Sequence, residues 1–316
     1  MSLFRIRGTK LIDLLPKTKG SLIESAPLSD LTWFGVGGPA EVMFRPFDEN
    51  DLINFLKNKP RNIAVTVIGV GSNILIRDGG VPGVVLRLGT PFTKHQINGD
   101  TIKCGASALN INIAKEAMKN GIAGLEFLSG IPGTIGGSLK MNAGAFNKEI
   151  KDILVSVTII DSTGKKHELG VDDIGFAYRK CLVPNDWIFS SAVLRGYKEN
   201  PDIIATKMQE YRKKREETQP IGMRTGGSTF KNPEGLKAWK LIDKAGCRGL
   251  RHGGAIISEK HCNFIINTGG ATALDIEELG EEVRKRVKAV NFIELEWEIR
   301  RIGVKNPKDS SFGGMR

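Results

Sequence analysis

Three short clusters bring together residue types that can hold charge and move protons. Phe176-Ala177-Tyr178-Arg179 offers a cation that stays charged at any working pH, next to a phenol. Gly226 to Pro233, GGSTFKNP, offers the Ser228 hydroxyl with Lys231 and Asn232 just beyond it. Leu295 to Ile299, LEWEI, offers the Glu298 carboxylate. Taken alone, each has an ordinary reading: Arg179 as a surface charge, Ser228 as a turn hydroxyl, Glu298 as an acid on a strand face. Two glycine-rich segments accompany them. Glu126 to Phe146, EFLSGIPGTIGGSLKMNAGAF, holds Gly130, Gly133, Gly136, Gly137 and Gly144. Val67 to Arg77, VIGVGSNILIR, holds Gly69 and Gly71, then Ser72 and Asn73. Glycine at that density costs backbone entropy and favours neither helix nor strand. Its physical use is close approach of main-chain N–H groups to a ligand. Two such walls, with no acid or base between the glycines, suggest a cradle for a phosphate-bearing ligand.

The elements that must position these residues follow from periodicity. Glu41 to Arg45 reads as a strand ended by Pro46, and Asp48 to Asn58 as a helix with Asp48 as N-cap. Ile63 to Ile68 is a buried strand running into the first glycine wall, and Val84 to Leu88 is another. Leu109 to Asn120 is a helix stopped by Gly121. Ile153 to Asp161 and Lys166 to Leu169 form a hairpin about Ser162-Thr163-Gly164, and Trp187 to Leu194 is a further strand. Past Asn200-Pro201 come a charged helix from Ile203 to Glu217, a short helix containing Trp239 and Ile242, and a strand from Asn263 to Asn267. Thr272 opens a helix with Ile276, Leu279, Val283, Val287 and Val290 at helical spacing, and Glu294 to Ile302 closes as a strand. Loose alternation with hairpins implies an α+β fold.

At 316 residues the chain has room for two or three domains. A net charge of +11 suits anionic ligands, either nucleic acid or small phosphorylated molecules. The basic runs Tyr211 to Arg215 and Arg284 to Lys288 have Glu neighbours and an apolar opposite face, which favours solvated helix faces over nucleic-acid contacts. Cys104, Cys181, Cys247 and Cys262 are scattered, so nothing requires disulfides and a reducing compartment is the expectation. No run suits a membrane span or a signal peptide. Cys247, His252, His261 and Cys262 match no zinc spacing, so no metal is expected. Gly35 to Ala40, GVGGPA, fits G-x-G-x-x-A but runs at once into a strand, and no P-loop motif is present.

Six motifs in order carry a resemblance: GVGSNILIRDGGVPGVVLRL, GLEFLSGIPGTIGGSLKMNAGA, YR, GGSTFKNP, GGAIISEKHCNFIINTG-ATALDIEEL and ELEWEIRRIG. From about Leu31 to Gly303 the chain resembles the UDP-N-acetylenolpyruvoylglucosamine reductase family, in the compact form that lacks an inserted tyrosine-bearing substrate loop. That likeness implies an α+β fold with an FAD-binding region of the p-cresol methylhydroxylase/vanillyl-alcohol oxidase type in two subdomains, then a smaller α+β substrate domain. The implied divisions are 1–30 as a lead-in, 31–200 for FAD, 201–303 for substrate and 304–316 as a tail. It implies non-covalent FAD on Gly69, Gly71, Ser72, Asn73, Ile74 and Leu75, and on Gly130, Ile131, Gly133, Gly136 and Gly137. It implies NADPH as reductant, a cytoplasmic enzyme of peptidoglycan precursor synthesis, and no required protein, nucleic-acid or membrane partner. The catalytic residues it implies are Arg179, Ser228 and Glu298, with Tyr178, Lys231 and Asn232 on the substrate. Three departures stand out: Cys181 where Ser is frequent, Lys140 before Met141, and Phe292 where a Gly-like turn residue is common.

The implied chemistry suits those residue types. Reducing an enol ether conjugated to a carboxylate builds negative charge next to that carboxylate. Arg179 would stabilise it as a fixed cation, protonated Glu298 as a hydrogen-bond donor, and Ser228 would give the proton. Two rivals make different claims. An alcohol oxidase of the same FAD fold would link its flavin to His or Tyr, and a basic nucleic-acid-binding protein would carry no chromophore.

Overall fold

A computed structural model describes residues 9–306. Residues 1–8 of the expected lead-in and 307–316 of the expected tail lie outside the described residues. In chain order the first elements are β1 (Ser21–Ala26), β2 (Ala40–Arg45), α1 (Glu49–Asn58), β3 (Val65–Ile68), β4 (Ile74–Ile76) and β5 (Val81–Arg87). Then come β6 (His95–Asn98), β7 (Thr101–Gly105), α2 (Asn110–Lys119), β8 (Ile122–Ala123), α3 (Ile135–Met141), β9 (Gly144–Ala145) and β10 (Lys148–Glu149). β11 (Leu154–Ile160), β12 (Lys166–Gly170), β13 (Ile188–Arg195), β14 (Tyr197–Lys198) and α4 (Pro201–Thr218) follow. The last are α5 (Ala238–Lys244), β15 (Arg251–His252), β16 (Ala255–Ile257), β17 (Ile265–Asn267), α6 (Ala273–Asn291) and β18 (Arg300–Ile302).

The chain divides into two units by contact. One comprises the chain up to Ala26, Ala40–Gly69 and Pro82–Gln209; the other comprises Pro27–Pro39, Val70–Val81 and the chain from Glu210 on. The first glycine wall therefore changes unit between Gly69 and Val70.

The first unit holds a four-stranded sheet in the order β1-β2-β5-β3 and a five-stranded sheet in the order β12-β11-β13-β7-β6. Phe44, Leu52, Phe55 and Leu86 are fully buried in a core that also takes in Ile160 and Ile188 from the second sheet. α1 starts where its sequence says it should: the Asp48 carboxylate accepts from the Asp51 N–H at 2.8 Å. The hairpin of β11 and β12 turns at Asp161, whose carboxylate accepts from the Thr163 N–H at 2.8 Å and the Lys165 N–H at 3.0 Å.

The second unit has only short strands: β15-β16-β17 and the parallel pair β18-β4. Its core is built on α6, with Ile276, Leu279, Val283 and Val287 fully buried against Phe34, Leu75, Phe230 and Ile242. Thr272 and Asp275 cap α6 reciprocally, as the sequence indicates. Asp78 adds a cap from far upstream, accepting from the N–H groups of Ala273 at 3.0 Å and Leu274 at 2.9 Å. This cap binds the end of the first glycine segment to the second unit.

Five elements stand out against the sequence reading. β1 was absent from it because five of its six residues are exposed or half-buried and show no alternation. β6 and β7 were likewise unread. The closing strand is confined to Arg300–Ile302, the only part that pairs with β4. The second glycine wall contains a helix, α3, which the glycine density argued against. Thr134 supplies what glycine cannot: its hydroxyl accepts from the Gly137 N–H at 3.2 Å and caps the helix.

Candidate active site

In the first unit the glycines fall into two groups. A Cβ on Gly130 would lie 2.6 Å from the Phe146 ring, and one on Gly136 would lie 3.0 Å from the Ala106 Cβ. Those glycines are imposed by the protein's own packing. A Cβ on Gly69 or Gly137 would meet only the Thr134 side chain, with Oγ1 at 3.0 and 3.4 Å. The two glycines thus flank Thr134, and beyond it both are open. Asn110 braces this second wall from behind. It is fully buried, donates from Nδ2 to Ile131 O at 3.1 Å and Ser138 Oγ at 2.8 Å, and donates from its N–H to Gly133 O at 3.0 Å. Its Oδ1 has no partner among the described residues.

Tyr178 and Arg179 form the tip of a two-residue turn in the same unit. Ala177 and Lys180 exchange main-chain hydrogen bonds at 2.9 and 3.1 Å, and Arg179 takes the left-handed φ of 54°. Its guanidinium lies 4.8 Å from the Tyr178 ring centroid. Nη2 donates to Gly144 O at 3.2 Å, and Glu149 Oε1 stands 3.6 Å from Nη1. The side chain is 17% exposed, so a residue on a surface turn is nonetheless held inward.

In the second unit Gly71 has a φ of +67°, and a Cβ there would sit 2.1 Å from Leu31 O. The sequence reading assigned Gly71 to ligand approach; its first requirement is this backbone contact. The N–H of Gly71 donates to no acceptor among the described residues. Leu75 is fully buried in the α6 core and Ile74 is half-buried on β4. Asn73 reaches the acid cluster: its Nδ2 donates to Glu298 O at 3.2 Å, and its carbonyl accepts from the Arg300 N–H at 3.1 Å.

Ser228 to Lys231 run as a strip between two neighbours. Thr229 N donates to Asn263 O at 2.8 Å on one side, and on the other Glu298 N donates to Thr229 O and Lys231 N to Glu296 O, each at 2.8 Å. Asn263 grips Phe230 from both ends, accepting at 3.0 Å and donating at 2.8 Å. This arrangement places the Glu298 main chain across from Thr229, the residue after Ser228. Ser228 and Glu298 are both half-buried. Gly227, at φ +82°, makes the turn into the strip. Lys231 pairs with Glu296 at 3.0 Å. Asn232 is exposed, and its Oδ1 accepts from the Ala238 N–H at 3.0 Å at the start of α5.

Two departures have local explanations. Lys140 Nζ donates to Val183 O at 2.6 Å and Pro184 O at 3.0 Å, tying α3 to the segment after Cys181. Phe292 takes the left-handed cap of α6 at φ 57° with its side chain 90% exposed.

A family model for the UDP-N-acetylenolpyruvoylglucosamine reductase C-terminal domain matches residues 219–302, and one for an FAD binding domain matches residues 40–170. A reductase of that name from Paramagnetospirillum magneticum is 57% identical over 93% of this chain and 95% of its own length. One from Rhodospirillum rubrum is 56% identical over 94% of each. The chain belongs to the UDP-N-acetylenolpyruvoylglucosamine reductase family. The solved reductase of that family from Thermus caldophilus superposes with a TM-score of 0.80 at 34% identity, covering 91% of this chain and all of its own. The protein is accordingly an FAD-dependent oxidoreductase, with the α+β fold and FAD-binding region expected from its sequence. The open glycines about Thr134 fit such a group, since a Cβ on either would fill the space a ligand needs. Among the described residues no helix is long and apolar enough to cross a membrane, and no His, Cys, Asp and Glu group is placed to hold a metal ion. Within the basic runs, Arg212 pairs with Glu216 and Arg286 with Glu282, each at 2.7 Å.

Proposed function

We propose that this family member reduces UDP-N-acetylenolpyruvoylglucosamine to UDP-N-acetylmuramate with NADPH, as a cytoplasmic step of peptidoglycan precursor synthesis. In this reading residues 31–200 chiefly serve the cofactor and 201–303 the substrate. Non-covalent FAD would be held by Gly69, Gly71, Ser72, Asn73, Ile74 and Leu75 and by Gly130, Ile131, Gly133, Gly136 and Gly137. When bound, it carries hydride between two substrates that need not be present together.

The chain's own residues handle charge and protons. Reduction of the enol ether puts negative charge on the carbon beside the carboxylate, and the charge spreads into an enediolate. Arg179 faces it as a fixed cation and Glu298, when protonated, donates a hydrogen bond to it. The Ser228 hydroxyl gives its proton to that carbon. Tyr178 orients the sugar nucleotide, and Lys231 and Asn232 meet its diphosphate; for Asn232 this leaves the Nδ2 end, since Oδ1 serves the Ala238 N–H. The observation that supports this reading is the 2.8 Å bond from Glu298 N to Thr229 O, which ties the segment bearing the acid to the residue that follows Ser228.

The test is isotopic. Turnover in deuterium oxide is expected to leave solvent deuterium on the carbon beside the carboxylate. A product carrying none at that carbon would overturn the reading. The purified protein should also release intact flavin on denaturation, and retention on the polypeptide would argue for the alcohol-oxidase alternative.

A further inference from the structure

We propose that Glu149 and Asn142 are positioning residues for Arg179, fixing its guanidinium in one orientation before an anionic substrate arrives. The inference rests on the role given to Arg179 above. It begins from a difficulty. An arginine on a surface turn has many rotamers to lose, and a cation that must first be ordered stabilises a developing charge poorly.

The structure orders it through a closed ring of side chains and carbonyls. Asn142 is fully buried and caps α3 in the left-handed conformation, φ 42°. Its Nδ2 donates to Glu149 Oε2 at 2.9 Å and to Ala177 O at 3.1 Å, so one amide grips both the carboxylate and the base of the Tyr178–Arg179 turn. Its own carbonyl accepts from Arg179 Nη1 at 3.5 Å, while Gly144 O accepts from Nη2 at 3.2 Å. Glu149 is fixed in turn. Lys151 pairs with Oε2 at 3.1 Å, and Glu149 and Asp152 cap one another's N–H groups. The Glu149–Arg179 separation of 3.6 Å is an ion-pair distance rather than a hydrogen bond. Glu149 therefore steadies the cation by charge without imposing a directional bond.

That arrangement has a cost that a purely structural carboxylate would lack. A fixed negative charge beside Arg179 opposes a second carboxylate. Removing the charge should strengthen substrate binding while loosening the guanidinium.

The experiment compares Glu149→Gln, Glu149→Asp and Arg179→Ala in the flavin-loaded enzyme. Gln keeps the size and the capacity to cap Asp152, so folding is expected to survive. For Glu149→Gln, calorimetric titration of the oxidised enzyme with substrate should show at least ~3-fold tighter binding. Flavin reoxidation at saturating substrate should slow ~10-fold, and flavin reduction by NADPH should stay at the wild-type rate. Glu149→Asp restores the charge and should return affinity to the wild-type value. Arg179→Ala should slow reoxidation by at least ~100-fold, the scale of losing one charge-stabilising group. Unchanged affinity in Glu149→Gln, or equal slowing of both half-reactions, with Arg179→Ala behaving as expected, would overturn the positioning role alone. Fast reoxidation in Arg179→Ala would overturn the role of Arg179 and this inference with it.

Discussion

The turn that carries Arg179 is closed by the Ala177–Lys180 main-chain pair and gripped by side chains, among them Asn142 and Glu149. The strip that carries Ser228 is fastened along both edges by main chain, to Asn263 and to Glu296 and Glu298. The two solutions fail differently. A main-chain strip tolerates replacement of the side chain it displays, because the bonds that locate it are untouched. A side-chain ring does not, because each member locates the next.

Ser228→Ala is the sharpest way to test that contrast. Thr229, Lys231 and Glu298 keep their main-chain bonds, so stability, flavin content and substrate affinity should stay within a few-fold of wild type. Turnover should fall by ~10²–10⁴, the range general-acid catalysis contributes, and Ser228→Cys should recover part of it. A variant turning over near the wild-type rate would remove Ser228 from the chemistry and return it to a turn hydroxyl.

Asn263→Ala tests where the strip is vulnerable. It deletes one side chain that satisfies both polar groups of buried Phe230. The loss should be roughly 2–4 kcal/mol, given ~1–3 for each buried group left unpaired. Denaturant unfolding would measure it, and a loss under ~1 kcal/mol would mean that the strip holds without Asn263.

The smallest effect separates two residues of the same backbone conformation. Arg179 and Phe292 both have a positive φ, 54° and 57°. Arg179 is anchored by its side chain, whereas Phe292 is 90% exposed and has little packing to lose. Phe292→Gly should therefore relieve strain and stabilise the protein by ~0.5–1 kcal/mol with activity unchanged. A lower melting temperature would show that the exposed ring contributes packing after all.

Much of this was legible in the chain. Helices with local caps, α1 at Asp48 and α6 at Thr272, were read correctly because a cap and its partner lie within three residues. The family motifs named Ser228 and Glu298, but no local pattern could reveal that a main-chain bond joins their segments. Asn110, Asn142 and Asn263 escaped notice for the same reason: each acts on main-chain groups of another segment, and the sequence shows only an asparagine. Thr134 was the exception, since a Thr before Ile-Gly-Gly is an N-cap signal that the glycine density obscured. Glycine has more than one use here: a Cβ on Gly71, Gly130 or Gly136 would meet other neighbours within the protein, whereas one on Gly69 or Gly137 would meet the Thr134 side chain.

The parallel pairing of β4 with β18 bears on how the protein is made. Ile74–Ile76 leave the ribosome well before their partner Arg300–Ile302 and the helix end capped by Asp78. Until then β4 is a bare apolar edge, Ile-Leu-Ile, of the kind that pairs with whatever strand is near. The closure of so long a loop makes the second unit a late and slow event in folding. A nascent chain stalled before Arg300 would hold the first glycine segment through Asp78 and α6 but leave β4 without its parallel partner.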